Sequence, residues 1–250
     1  MLSLPNMGDP ARLVAIAAAA DANGWDGFVL WDHIHLVKAL ALDVFDPWVV
    51  LGAAAVQTGH VVLGTMVTPV ARRRPHKLAK EVMTLDHLSG GRAILGVGLG
   101  EPAADEFGMF GEDTDLHRRA AALDDGLALV DGYLRGEPTG DAHLRPAAVQ
   151  RPRPPIWVAG KWPNPKPVAR ARRYDGYIPI MAGGAPQTTD AIRAMRDAVG
   201  PDLDLVANVM DGDDPAAFVD AGATWLLWSC WPDGDWLDRM ERLAAAPPPV

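Results

Sequence analysis

Short apolar runs alternate along this chain with longer segments in which apolar positions recur at helical spacing. Eight strand-like segments each precede a helix-like one. Leu2–Met7 leads to an Ala-rich helix over Asp9–Asn23, closed by Gly24, and Gly27–Trp31 leads through a loop to a helix near Asp46–Gln57. Val61–Val67 is followed by Pro75–Leu88, and Ala93–Val97 by a long helix near Leu116–Leu134. The second half repeats the pattern: Pro155–Val158 with Pro165–Arg173, Gly176–Met181 with Pro186–Val199, Leu203–Val209 with Pro215–Ala221, and Thr224–Ser229 with Trp236–Ala244. Proline stands at or near the first turn of several helices (Pro10, Pro47, Pro75, Pro167, Pro186, Pro215), where its missing N–H costs little.

The strand segments are apolar runs without clean alternation, which predicts a parallel sheet covered on both faces. Eight βα units in 250 residues suit an α/β fold of the closed (β/α)8, TIM-type barrel. An open, doubly wound sheet is the alternative that counting leaves standing. Residues 1–246 are expected to form one domain, with an irregular excursion near 136–155 that is rich in Pro and Gly, and a disordered tail over 247–250.

Composition narrows the setting. The net charge of −9 argues against a nucleic-acid or anionic-membrane surface. A single cysteine, Cys230, excludes an intramolecular disulfide. The longest apolar run, Leu13–Ala20, is too short to span a bilayer, and no basic leader precedes the first strand, so a cytoplasmic protein is expected.

The most informative segment, Gly64 to Gly100, ends in Gly96, Gly98 and Gly100 followed by Glu101. Barrel and open-sheet folds alike place ligands at the carboxyl ends of strands, so a side-chain-poor strand end there either relieves crowding or makes room for a planar ring. A dinucleotide fingerprint would need glycine where Glu101 stands. Asp32-His33 follows the second strand directly; the pair suits proton transfer, or else Asp32 caps local backbone and His33 is an ordinary loop residue. His33-x-His35 hints at a metal, yet the other histidines fall in helices or connecting loops and none follows His143, so no metal is expected. Arg72-Arg73-Arg74 precedes a helix N-terminus, suited to anions or to pairing with acidic neighbours, and at least one of the three reads as structural. Ala159-Gly160-Lys161 and Ala182-Gly183-Gly184 are glycine-rich strand ends that could cradle a phosphate or simply leave a strand. Trp228 and Trp231 could wall a pocket near the last strand.

Taken in order, LSLPNMG, the strand ending WDH, GTMVTPVARRRP, TLDHLSGGR, GVGLGE and RPRPPIWVAG resemble the bacterial luciferase-like oxidoreductases, over most of the chain from Leu2 to about Ile180. The resemblance implies a (β/α)8 barrel that uses FMN or the deazaflavin coenzyme F420, with the ring lying across the strand ends. It implies a non-proline cis peptide among Thr65, Met66 and Val67, a catalytic Asp32–His33 pair, and a further carboxylate at Glu101. Cofactor contacts carry over to Asn6, Asp32, Thr65, Met66, Val67, Gly98, Gly100, Ala159, Gly160, Met181 and Gly183.

The implied activity is flavin-type oxidoreduction of a small organic substrate, by hydride transfer or, as a monooxygenase, by oxygen activation. His33, oriented by Asp32, is the first choice for the acid–base group and Glu101 the second. A homodimer and a separate flavin reductase or F420-reducing enzyme are implied partners. Two other readings stand: a non-redox isomerase or lyase on a phosphorylated metabolite, supported by the glycine-rich strand ends and Lys161, and a non-catalytic flavin-binding protein. The chain departs from the family pattern in starting its first strand at residue 2, which leaves room for a start upstream. It also has only a short GDAHLRPAAVQ before strand five, and its polar side chains after Glu101 resume only at Asp105 and Glu106.

Overall fold

In the computed structural model, which describes residues 1–139 and 141–249, eight parallel strands close into a barrel in sequence order. They are β1 (Leu2–Leu4), β2 (Gly27–Leu30), β3 (Val62–Pro69), β4 (Ala93–Gly98), β5 (Ile156–Trp162), β6 (Gly176–Met181), β7 (Asp204–Val209) and β8 (Trp225–Ser229). Between and after them run α1 (Pro10–Ala22), α2 (Pro47–Ala55), α3 (Pro75–Ser89), α4 (Ala103–Glu106), α5 (Leu116–Leu134), α6 (Pro165–Ala171), α7 (Thr189–Val199), α8 (Pro215–Asp220) and α9 (Trp236–Ala244). Pairing of β1 with β8 closes the ring and rules out the open sheet. Among the described residues the one α-helix that the hydrophobic pattern misses is α4, a single turn too short to show a period.

Local chemistry sets the helix starts. Asp9, Asp46, Asp115, Asn164, Thr188 and Asp214 each accept a backbone N–H from the first turn that they cap. Each such cap stabilises by about 1 kcal/mol. Proline occupies the opening turn of α1, α2, α3, α6 and α8, whereas Pro186 lies ahead of α7, whose cap is Thr188. Gly90 ends α3 at φ 68°, a left-handed turn that glycine adopts without steric cost.

Side chains alternate inward and outward along each strand. The outward set packs on the helices in one continuous core; Trp228 belongs there, edge-on to Trp25 at 5.3 Å, and not at a pocket wall. The inward set of Met1, Val29, Met66, Ile94, Trp157, Ala159, Ile178, Val206 and Leu227 fills the barrel. Its floor is the Trp157–Trp225 pair, with ring centroids 5.3 Å apart. A floor this bulky needs a bare neighbour, and Gly176 supplies it: a Cβ there would come within 2.4 Å of the Trp157 ring. The N-terminal end of the barrel is thereby plugged.

The excursion between α5 and β5 is irregular apart from a bridge between Thr139 and Ala142. The expected disordered tail, 247–250, has no regular secondary structure over 247–249, and Val250 lies outside the described residues. No helix is long and apolar enough, among the described residues, to cross a membrane.

Candidate active site

Continuing the inward alternation one step past the filled interior places Trp31, Lys161, Ile180, Asn208 and Ser229 at the C-terminal mouth. Lys161 is exposed and Ile180 is 47% exposed, so the mouth is open on the β5–β6 side. On the opposite side Trp31 donates Nε1–H to the Ser3 hydroxyl, stands edge-on to His33 at 5.7 Å and leans on Trp231 at 6.0 Å. Trp231, half exposed, is the tryptophan that walls this side.

His33 is held at the mouth by its main chain first. Buried Asn6 donates Nδ2–H to the carbonyls of His33 (2.8 Å) and Phe45 (2.6 Å), and its Oδ1 accepts the His33 N–H at 3.2 Å. The Asn6 side chain is therefore taken up by the loop and not free for a cofactor.

Asp32 points away from the imidazole. Its carboxylate accepts from Arg73 at 2.8 Å on both oxygens, from the Thr68 hydroxyl at 2.7 Å, and from Arg72 at 3.3 Å. Thr65, fully buried, lies 2.9 Å from the Thr68 hydroxyl inside the same wall. The expectation that Asp32 orients His33 is thus corrected: two guanidinium groups claim it because burial demands that its charge be paired. Arg72 and Arg73 are both structural, and Arg74 is the exposed member of the trio.

The carboxylate that meets His33 is Glu106, on α4. Its Oε1 lies 3.2 Å from His33 Nδ1, inside ion-pair range though off hydrogen-bond alignment. Glu106 also accepts the backbone N–H groups of Ile34 (3.1 Å), His35 (3.0 Å) and Leu36 (2.5 Å), and Nη1 of Arg72 at 2.5 Å. Burial, the largest influence, pushes its carboxyl up, but the adjacent His33 imidazole and the backbone hydrogen bonds from Ile34 and Leu36 outweigh it and hold the group well below the usual carboxylate range. Neither spacing nor periodicity singles this residue out; the only signal is an acidic side chain soon after Gly100.

Glu101 stays out of this network. It is exposed and faces Arg119 at 3.6 Å, while Arg119 uses Nη1 to bind the carbonyls of Leu99 and Gly100. The guanidinium groups of Arg119 (4.9 Å) and Arg72 (5.8 Å) both lie over the ring of Phe107, next to Glu106.

Of the two uses that the glycine run suggests, relief of crowding is the one its neighbours display. A Cβ on Gly96 would lie 2.3 Å from the Thr65 carbonyl, one on Gly98 2.7 Å from Val67, and one on Gly100 2.8 Å from Phe107 and Pro69. The bare rim accommodates a bulge of β3 and the Phe107 ring. That bulge contains the cis peptide Met66–Val67 and a shift in the β3–β4 register between Thr65 and Thr68. Met66 turns into the filled interior, and Val67, partly buried against the same cluster, is the more exposed of the two.

The expected phosphate loops also divide. Ala159 is part of the barrel interior, and Gly160 is glycine because Pro167 sits 2.0 Å from where its Cβ would be. Met181 packs outward against the helices, so its neighbour Ile180 is the mouth residue. Gly183 and Gly184 differ: both are exposed, have φ of 68° and 71°, and have no atom within 4 Å of an added Cβ. A turn of this kind can present successive backbone N–H groups to an anion. Among the described residues no group of three His, Cys, Asp or Glu side chains is placed to hold a metal ion.

The profile of the family described as luciferase-like monooxygenase matches residues 2–214. The chain belongs to the luciferase-like family. Its relatives include the F420-dependent glucose-6-phosphate dehydrogenases of Nakamurella multipartita, 30% identical over 81% of this chain and 62% of that protein, and of Beutenbergia cavernae, 31% identical over 86% and 69%. A phthiodiolone/phenolphthiodiolone dimycocerosates ketoreductase of a Mycobacterium species is 32% identical over 73% of this chain and 55% of that protein. The chain therefore spans less than two thirds of the first and third of these relatives. The luciferase-like barrel is also seen in the F420-dependent tetrahydromethanopterin reductase of Methanopyrus kandleri, with a TM-score of 0.76 at 16% identity over 99% of this chain and 97% of that one. An FMN complex of the oxygenating constituent of 3,6-diketocamphane monooxygenase from Pseudomonas putida has a TM-score of 0.61 at 20% identity, over 86% and 58%. At such identities the likeness is one of fold.

Proposed function

We propose that this chain is an oxidoreductase that uses F420, with FMN as the second candidate, and acts on a small organic substrate at the barrel mouth. One observation carries the reading: a partly exposed imidazole at the barrel mouth whose Nδ1 lies 3.2 Å from a buried carboxylate. The relatives named as F420-dependent support the deazaflavin over FMN.

The residues present fit such a cofactor. Val67 offers an apolar shelf for a ring, Trp31 and Trp231 a wall, and the exposed turn at Gly183–Gly184 unobstructed backbone for a phosphate. When bound, the cofactor supplies the hydride chemistry that no side chain can. Oxidising an alcohol carbon removes a hydride and, from the hydroxyl, a proton. His33 Nε2 takes that proton, and in the reverse direction returns it to the carbonyl oxygen. Asn6 and Glu106 keep the imidazole in place, while Trp31 and Trp231 limit water on that side. A homodimer and a separate enzyme that recycles the cofactor belong to the same proposal.

The deciding experiment is anaerobic titration of the purified chain with F420 and FMN separately, followed by absorbance, then by turnover with alcohols and sugar phosphates. Binding of F420 with substrate-dependent reduction supports the reading. Binding of neither cofactor overturns it in favour of a non-redox barrel, and binding without turnover on any substrate overturns it in favour of a carrier. Oxygen-dependent turnover with reduced FMN would instead identify a monooxygenase.

A further inference from the structure

We propose that Glu106 is the positioning residue of His33: it fixes the imidazole tautomer, and the loop that carries the ring, so that Nε2 faces the mouth as the working nitrogen. This rests on the acid–base reading of His33 given above and adds to it which nitrogen works and what selects it.

Residues 34–36 turn sharply after β2, and Leu36 is held at φ 64°, a left-handed conformation that costs a branched side chain about 1–3 kcal/mol. Such a turn leaves three successive N–H groups without strand or helix partners. All three donate to Glu106, which is 1% exposed and reaches in from α4. A single carboxylate thus holds the loop in a shape that its own sequence does not favour. His33 sits at the head of that loop.

Nδ1 of His33 is buried and has no aligned hydrogen-bond partner. Its neighbours can be named element by element. Asn6, following β1, binds only the main chain of His33. Trp31 presents its ring edge-on. Asp32 is enclosed by Arg72, Arg73 and Thr68. Arg72 faces Glu106 and Asp32, and it can only donate. Glu106 Oε1, 3.2 Å from Nδ1, is the carboxylate oxygen within ion-pair range of the ring.

A neutral imidazole next to this acceptor keeps its proton on Nδ1, which makes Nε2 the lone-pair nitrogen. Arg72 already balances the Glu106 charge, so the carboxylate chiefly gives His33 a tautomer and an orientation. This is the part that a base-orienting carboxylate plays wherever an imidazole must accept a proton at one chosen nitrogen.

The test uses cofactor-free protein labelled with 15N at histidine, because the tautomer is read from the two ring-nitrogen shifts without any turnover. In the wild type, neutral His33 is expected to carry its proton on Nδ1. In Glu106→Gln one acceptor oxygen becomes an NH2 while the loop N–H groups and Arg72 still require acceptors. The Nε2–H form, which free histidine prefers, should then become the main species. Asp32→Asn should leave the His33 tautomer as in the wild type. With the cofactor bound, Glu106→Gln should lower kcat by roughly 10²-fold, with KM within a few-fold.

A wild-type ring protonated on Nε2 overturns the proposal, and that measurement needs no variant to fold. So does a Glu106→Gln protein whose His33 tautomer is unchanged, whatever its turnover. A tautomer that shifts while kcat holds would sustain the positioning role and overturn only the acid–base reading of His33, so the two failures are distinct.

Discussion

Arg73 donates from one guanidinium nitrogen to both oxygens of Asp32, at 2.8 Å each, inside the wall below the barrel mouth. Removing one partner of a buried pair leaves the other charge uncompensated, which costs about 3–5 kcal/mol. Asp32→Ala is therefore expected to lower the urea midpoint sharply, whether or not a cofactor is present. Full stability in that variant, with loss confined to catalysis, would return Asp32 to the role its place beside His33 suggests.

His33→Ala removes the proton acceptor and leaves the barrel intact. General acid–base catalysis contributes about 10²–10⁴-fold, so kcat should fall by that order while cofactor affinity stays within a few-fold. Affinity follows from the same absorbance titration and kcat from steady-state rates. Turnover within a few-fold of wild type at every pH would remove His33 from the chemistry.

Two glycines of the rim should respond in opposite ways. Gly160→Ala drives a Cβ to 2.0 Å from Pro167, so it should destabilise the fold by more than about 1 kcal/mol, because packed interiors accept extra volume poorly. Gly183→Ala meets nothing, and its cost in stability should be about 1 kcal/mol from its left-handed φ of 68°. Its effect should instead appear as weaker binding of the phosphate-bearing cofactor. Thermal melting and cofactor titration of both variants separate the two roles, and equal affinities would exclude the Gly183 turn as an anion seat.

The Glu106 carboxyl is held below its ordinary value of 4.5 in the folded chain. A depressed folded value means that its contribution to stability is fully present above about pH 4.5 and is lost as pH falls below it. Glu106→Gln cannot titrate, so the urea midpoint of the variant should change less between pH 6 and pH 3.5 than that of the wild type. Asp124 and Asp131, also held low by arginines, provide a background common to both proteins. Parallel pH profiles would mean that Glu106 is not ionised in its buried setting.

Much of the barrel is legible along the chain, because what makes it is local. Caps such as Asp46 and Asp115 act within three residues, and proline at the start of α3 or α8 presets its own φ. The apolar runs of β3 to β8 need only their own composition to announce burial on both faces. The ending WDH likewise places His33 at a strand's carboxyl end. The single-turn α4 escapes this kind of reading, since a period needs more than one turn to appear.

Tertiary structure alone decided how those parts meet. Sequence adjacency pairs Asp32 with His33, but neighbours at a strand end point to opposite faces, so Asp32 turns to the arginines and His33 to the mouth. The carboxylate that reaches the imidazole loop does so across 70 positions of chain, because closing the barrel brings the β4 connection over the end of β2. Likewise Gly96 and Gly98 announce a need for space; that the space belongs to the carbonyl of Thr65 and to Val67 follows from the register of β3 against β4. Composition and periodicity specify elements, whereas a site is made of side chains from different elements, and only the closed ring fixes the distances between them.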